Sequence, residues 1–91
     1  MVLIITDNKV TDRDAYLPLA QAFAKDGAHD KGCHEMNVYL NPDISDRVVF
    51  VSKWDCKDDF FAHVKGPSFA KHIPAMAPYY VSGTDICLDL A

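Results

Sequence analysis

Four stretches of the chain have hydrophobic patterns typical of β-strands. Val2–Thr6 and Val48–Val51 are β-branched or aromatic at nearly every position, which indicates strands covered on both faces. Cys33–Leu40 and a last stretch, about Tyr80–Leu90, alternate apolar and polar residues, as strands covered on one face do. The turn-forming residues of Asn41–Asp46 predict a hairpin between the second and third strands. Within the last strand, a glycine at position 83 is expected to form a bend or bulge.

The first helical segment follows the first strand. Thr11–Asp14 has the form of a capping box, and the helix is expected to run to about Lys25, with Gly27 as its stop. Pro18 lacks an amide proton, so it should either kink the first turns or mark the start of the regular part.

A second helical region follows the third strand directly. Asp55 or Cys56 is expected to cap a helix that ends before Gly66-Pro67, and a further piece begins at Ser68. Two apolar stripes have helical spacing, and they consist of Phe60, Phe61 and Val64 in the first piece and Phe69, Ile73 and Met76 in the second.

The element order is therefore βαββαβ in a single domain of residues 1–91. Strands one and three, apolar on both faces, belong in the centre of the sheet, and the alternating strands two and four belong at its edges. This predicts a ferredoxin-like α+β fold with an antiparallel sheet of order 4-1-3-2. Its helices cover only one sheet face, so we expect a second copy to cover the other in a symmetric homodimer. A moderately apolar, solvated second face is the alternative.

Composition excludes several classes of partner. The formal net charge is -4 and Lys and Arg form no run, so nucleic acid and anionic membranes are poor partners. Met1–Ile5 is too short for a signal peptide or a membrane span. Three widely spaced cysteines do not suggest a disulfide framework, and a cytoplasmic location is expected.

No metal site is expected from the sequence. His29, Cys33 and His34 lack a second ligand pair at zinc spacing. The aspartates do not match a calcium-binding loop either, and helix capping and solvation explain them.

The end of the third strand is the best candidate for chemistry. Trp54 and His63 flank the turn from this strand into the following helix, and the strand end and helix enclose one space. Imidazole is the side-chain group that ordinarily titrates near neutrality, so proton transfer is expected within reach of this pair.

The residues around this turn resemble a known family. Trp54 to Phe69 reads Trp-Asp-Cys-Lys-Asp-Asp-Phe-Phe-Ala-His-Val-Lys-Gly-Pro-Ser-Phe. It resembles the antibiotic biosynthesis monooxygenase (ABM) domain, which has Trp, a small capping residue, an acidic turn, His, a Ser-Pro-like turn and Phe. Gly32-Cys33 is similar to the family's Pro-Gly-Cys turn, with Lys31 in place of Pro. The similarity spans nearly the whole chain.

The resemblance implies a dimeric α+β barrel with a cavity between helices and sheet in each protomer. It also implies a cofactor-independent monooxygenase, similar to quinol monooxygenases, that oxidises a small aromatic or quinol-type substrate with O2. Haem degradation fits poorly, because the haem-degrading relatives have Trp at the position of His63 and place their axial His at Ile73. A non-oxidative isomerase or other proton-transfer enzyme on a small polar metabolite, and a dimer that binds a small ligand without turnover, remain alternatives.

The oxygenase hypothesis assigns roles to particular residues. His63 is the candidate base, Trp54 offers an indole N–H and an aromatic wall, and His72 is a second candidate catalytic group. The substrate pocket is expected to contain Asn8, Tyr16, Asn37 and Tyr79 as donors and Phe23, Phe60, Phe69 and Met76 as apolar lining. Each has a structural alternative: Trp54 as a core anchor, His63 as a histidine bonded to a backbone carbonyl, His72 as an exposed helix residue, and the aromatic residues as core.

Overall fold

The computed structural model describes all 91 residues. Four strands and three α-helices follow one another, with a single 3-10 turn at Ala77–Tyr79 before the last strand. Their bounds are β1 Val2–Val10, α1 Arg13–Gly27, β2 Cys33–Leu40, β3 Arg47–Trp54, α2 Lys57–Val64, α3 Pro67–Met76 and β4 Tyr80–Asp89.

The four strands form one antiparallel sheet of order β2-β3-β1-β4, which confirms the predicted ferredoxin-like topology. β1 pairs with both β3 and β4, so that Val2 lies opposite Trp54 on one side and Asp89 on the other. The doubly apolar strands β1 and β3 are the two central strands, as the sequence predicts, and the alternating strands β2 and β4 are the edges. The predicted hairpin joins β2 and β3 through residues 41–46.

The helices cover one face of the sheet, and the buried core lies between them. Alternate residues of the central strands, such as Ile4, Val48 and Phe50, point toward the helices and are buried. The complete buried hydrophobic core consists of Val2, Ile4, Val10, Tyr16, Ala20, Phe23, Ala24, Met36, Val48, Phe50, Trp54 and Met76.

The N-cap residue of helix α1 differs from the predicted one. Asp12, not Thr11, is the N-cap residue, and its carboxylate accepts a hydrogen bond from the amide of Ala15 at 3.1 Å. Aspartate in extended conformation at this position satisfies one of the free amides of the first turn. Pro18 lies inside the helix, which begins at Arg13, so it does not mark the start of the regular part.

The stripe predicted for α2 is wrong in part. Cys56 is at the N-cap as expected, but Phe61 is 45% exposed and Val64 also reaches the surface. In a helix of only two turns a single narrow face can be buried, and here that face carries Phe60 and His63. Helix α3 begins at Pro67, one residue before the predicted Ser68.

Strand β4 carries its irregularity at a different residue from the one predicted. Lys9 pairs with Ser82 and Val10 with Tyr80, so the extra residue of the bulge is Val81, not Gly83. Gly83 instead leaves room for the Asn8 side chain, because a Cβ at position 83 would lie 2.3 Å from Asn8 Oδ1. All of β4 is exposed because the helices lie over the other three strands.

The face of the sheet away from the helices is open. Leu3, Ile5 and Val51 are half-buried there, while Ile86 and Leu88 on β4 are exposed. None of the helices has the length and apolar character needed to span a membrane.

Candidate functional site

A cavity of about 370 Å³ lies between the helices and the sheet, and 11 of its 17 lining residues are hydrophobic. It is therefore suited to a ligand that is mainly apolar. Seven of the sequence-predicted site residues line it: His63, Asn8, Tyr16, Phe23, Phe60, Phe69 and Met76.

His63 is held by a carboxylate. Its ring is buried, and Nδ1 lies 2.5 Å from Oδ2 of Asp30, which also accepts a hydrogen bond from Ser68 Oγ at 2.5 Å. Nε2 has no hydrogen-bond partner within the chain, and His63 is one of the residues that line the cavity. A carboxylate on Nδ1 fixes the orientation of the imidazole and leaves the other nitrogen for a ligand. His63 is thus bonded to a side chain rather than to a backbone carbonyl.

Asp30 lies in the short loop between α1 and β2, and backbone bonds fix this loop. The Asp30 amide donates to Gly27 O at 3.1 Å, its carbonyl accepts from the Cys33 amide at 3.0 Å, and the Asp55 amide donates to Gly32 O at 2.8 Å. Gly32 has φ +80, a conformation that glycine adopts without strain. The loop therefore places the carboxylate at a defined position beside α2.

Trp54 lies behind His63 rather than in the cavity wall. It is fully buried, with its ring centroid 5.0 Å from that of His63 and 5.8 Å from that of Phe60. Its indole N–H donates to Ser52 Oγ at 2.9 Å. Since this donor is already used, Trp54 supports the histidine ring and has no free N–H for a substrate anion.

His72 faces away from the cavity. Its Nε2 pairs with the carboxylate of Asp26, which also contacts Lys71 Nζ at 3.3 Å. Hydrogen bonds from His72 and Lys71 hold the pKa of Asp26 below its ordinary value. The structure therefore does not bring His72 together with His63.

Two predicted pocket residues also lie outside the cavity. Asn37 is exposed on the open sheet face, opposite Val51, because it alternates with the inward-facing Met36. Tyr79 packs edge-on against Tyr16, with ring centroids 6.5 Å apart, and supports the wall from behind.

The cavity has a polar end remote from His63. Asn8 and Tyr16 are adjacent and buried there, and burial raises the pKa of Tyr16 above its ordinary value although a hydrogen bond with Asn8 partly offsets this. On the strand edge, Thr6 Oγ1 donates to Asp85 Oδ1 at 2.7 Å.

Sequence reasoning missed Asp30, Ser68 and Asp85. Asp30 lies in a loop and is 33 residues from His63 along the chain. Asp85 was assigned to the polar side of β4, and that side faces the cavity because Asp85 pairs with Thr6 in the sheet. The pairing of β1 with β4 would have indicated that Asp85 faces the cavity. No feature of the sequence near Asp30 indicated its contact with His63.

No cluster of three or more His, Cys, Asp or Glu side chains has the arrangement of a metal site. His34, one of the residues considered as a zinc ligand, pairs with the Asp55 carboxylate at 2.5 Å.

Cys33 should react slowly with thiol reagents. Burial, with the nearby Asp30 carboxylate, raises the pKa of Cys33 to about 11. At pH 8 only about one Cys33 in a thousand is then a thiolate, which is the reactive form. Titration with Ellman's reagent should show Cys56 and Cys87, both exposed, reacting first. Cys33→Ala should remove only the slow phase; removal of a fast phase would contradict this assignment.

Known proteins with similar structures share this architecture. A structure described as an antibiotic biosynthesis monooxygenase is 17% identical with a TM-score of 0.87 and covers 100% of this chain and 99% of its own. SnoaB, a cofactor-independent oxygenase from Streptomyces nogalater, is 15% identical with a TM-score of 0.85, covering 99% and 92%. A conserved protein from Methanosarcina mazei Go1 is 12% identical with a TM-score of 0.83, covering 96% and 89%.

At these identities the similar structures establish the fold alone. Among curated proteins, none matches the chain. The sequence model of the antibiotic biosynthesis monooxygenase family matches residues 2–75, which is most of the chain and includes β1 through nearly all of α3. The chain therefore belongs to the antibiotic biosynthesis monooxygenase family.

Proposed function

We propose that the protein is a cofactor-independent monooxygenase of a small, electron-rich aromatic or quinol-type substrate. The observation that carries this proposal is the His63–Asp30 pair: Nδ1 lies on the carboxylate, Nε2 has no partner within the chain, and His63 belongs to the lining of an aromatic-walled cavity. Family membership and the fold shared with SnoaB, itself described as a cofactor-independent oxygenase, support it.

The proposed role of His63 follows from the needs of the reaction. A phenol or quinol gives an electron to O2 far more readily as its anion, so a base must first remove the hydroxyl proton. Nε2 of His63 takes that proton, and Asp30 stabilises the imidazolium that forms. The rings of Phe23, Phe60 and Phe69 exclude water around this step.

The substrate itself supplies the electrons. For a reacting carbon that carries two hydrogens, the overall change is CH2 + O2 → C=O + H2O. One oxygen atom forms the carbonyl, the other leaves as water with both hydrogens, and the four-electron oxidation of carbon balances the reduction of O2. No group other than substrate, O2 and a base is required.

The same pair of residues would serve a non-oxidative isomerase, which also begins with proton removal. Oxygen uptake separates the two reactions. In an oxygen electrode, protein treated with a chelator should consume O2 with at least one member of a panel of naphthalenediols and anthrones, and the amount should equal the product formed. Turnover of substrate without O2 uptake, or binding without turnover, would refute the oxygenase proposal.

We further propose that the functional form is a homodimer packed through the open sheet face. That face presents Ile86 and Leu88, each about half exposed, beside the aliphatic residues of β1 and β3. Burying apolar surface of this kind stabilises an isologous interface, and the helix layer leaves it uncovered.

Ile86→Lys should convert the dimer to a monomer. The side chain is 51% exposed in the protomer, so the fold tolerates lysine, while a dimer interface would have to bury its charge. Light scattering should give the mass of one chain, 10.1 kDa, for the variant and twice that for the natural protein. Phe61→Lys, at a similarly exposed site on α2, is the control and should stay dimeric. A monomeric natural protein would contradict the proposal.

A further inference from the structure

The cavity wall carries few charged side chains. The lining includes no lysine or arginine, and its only acidic residue is Asp85, at the edge formed by β4. An anionic substituent on a ligand would therefore find no lysine or arginine in the wall, and it would be repelled by the carboxylate of Asp85.

Asp85 is held in place at this edge. It lies directly opposite Thr6 in the sheet, and Thr6 Oγ1 donates to Asp85 Oδ1 at 2.7 Å. Oδ2 has no partner within the chain and remains available to accept a hydrogen bond. The hydrogen bond from Thr6 thus orients this exposed carboxylate.

A second polar group lies two residues away along the same strand pair. Asn8 is only 8% exposed, lines the cavity and is hydrogen-bonded to Tyr16. Gly83, opposite Asn8, leaves the space that this amide uses, since a Cβ there would lie 2.3 Å from Asn8 Oδ1 and 2.9 Å from Tyr80 Oη. A side-chain NH2 carries two N–H donors, so the hydrogen bond to Tyr16 leaves one for a ligand.

The two ends of the cavity are separated along the sheet. Ser52, which accepts from the indole beside His63, lies opposite Ile4, and Asn8 is four residues further along β1. At about 3.3 Å per residue this separation is roughly 13 Å, about the length of a fused-ring aromatic with substituents at both ends.

We propose that Asp85, with Asn8, forms a second subsite that selects neutral substrates carrying a hydroxyl group at the end opposite the reacting hydroxyl. Asp85 accepts a hydrogen bond from this distal hydroxyl and Asn8 donates one to its oxygen. The same carboxylate repels analogues whose distal substituent is a carboxylate, sulfate or phosphate. The inference rests on the proposed function, since it takes this cavity as the substrate site.

Three naphthalenes test the subsite by calorimetry without O2. We expect 2,6-dihydroxynaphthalene to bind at least tenfold more tightly than 6-hydroxy-2-naphthoate, with 2-naphthol in between. Asp85→Asn keeps an acceptor for Thr6 but removes the charge, and it should reduce the ratio of diol to naphthoate affinity to threefold or less.

The matched control is Asp89→Asn. Asp89 lies on the same face of β4, four residues from Asp85, and does not line the cavity. This variant should keep the tenfold ratio. Equal affinity for diol and naphthoate, no measurable binding of the diol, or an unchanged ratio in Asp85→Asn would each overturn the assignment.

The outcome is distinguishable from that of the oxygenase proposal. Selective binding without any O2 uptake would refute the oxygenase and keep the subsite. O2 uptake with equal use of diol and naphthoate would support the oxygenase proposal and refute the subsite.

Discussion

His63→Ala should lower kcat for the oxidation of a quinol by about 10²- to 10⁴-fold, the usual contribution of a positioned general base. The variant removes the only imidazole in the cavity wall and leaves Asp30 with Ser68 as its remaining side-chain partner. Substrate affinity, measured without O2, should change much less than kcat, because the aromatic walls remain. The measurement is the initial rate of O2 uptake at saturating substrate.

Two further measurements distinguish a base from a structural histidine. Added imidazole should restore part of the activity of His63→Ala, since it can occupy the vacated space and accept the proton. His72→Ala, which removes an imidazole outside the cavity, should keep kcat within a few-fold. Full activity in His63→Ala, with the fold intact, would exclude this residue as the base.

Trp54→Ala should destabilise the fold by about 3–5 kcal/mol, the range found when a large aromatic residue is removed from a core. Trp54 is fully buried, packs against Phe60 and His63, and donates to Ser52, whose hydroxyl would lose this partner. Urea unfolding at a fixed protomer concentration measures the effect, because dimerisation makes apparent stability depend on concentration.

Two controls accompany this variant. Phe61→Ala removes an aromatic residue that is 45% exposed, and it should change the free energy of unfolding by no more than about 0.5 kcal/mol. Trp54→Phe keeps the ring but not the N–H, so it should retain most of kcat. A loss of kcat in Trp54→Phe as large as that in His63→Ala would assign the indole a direct part in the reaction.

The strand order was predictable because β1 and β3 carry apolar residues on both faces whereas β2 and β4 alternate. The run at Val48–Val51 has no polar position, and only a central strand accommodates this. The helix caps were less predictable, since Thr11 and Asp12 are both good N-cap residues and the backbone conformation decides between them. Likewise four apolar residues compete for the one buried face of α2, and His63 together with Phe60 occupies it rather than Phe61.

The candidate site was predictable only where it lies on regular elements. His63, Phe60 and Phe69 have helical spacing and converge with Phe23 from α1 on one cavity. Asp30 comes from a loop, and loop geometry depends on long-range bonds such as that from Asp55 to Gly32. Asn37 was misplaced because its polarity was given more weight than its position in the alternation of β2.

The central claim is that Nε2 of His63 meets the reacting hydroxyl of the substrate inside the cavity. A crystal structure with the best quinol substrate bound in the absence of O2 tests this directly. We expect the hydroxyl oxygen at about 2.6–3.2 Å from Nε2, with Nδ1 still on Asp30. A ligand bound on the open sheet face, or in the cavity with its hydroxyl beyond hydrogen-bond reach of His63, would contradict it.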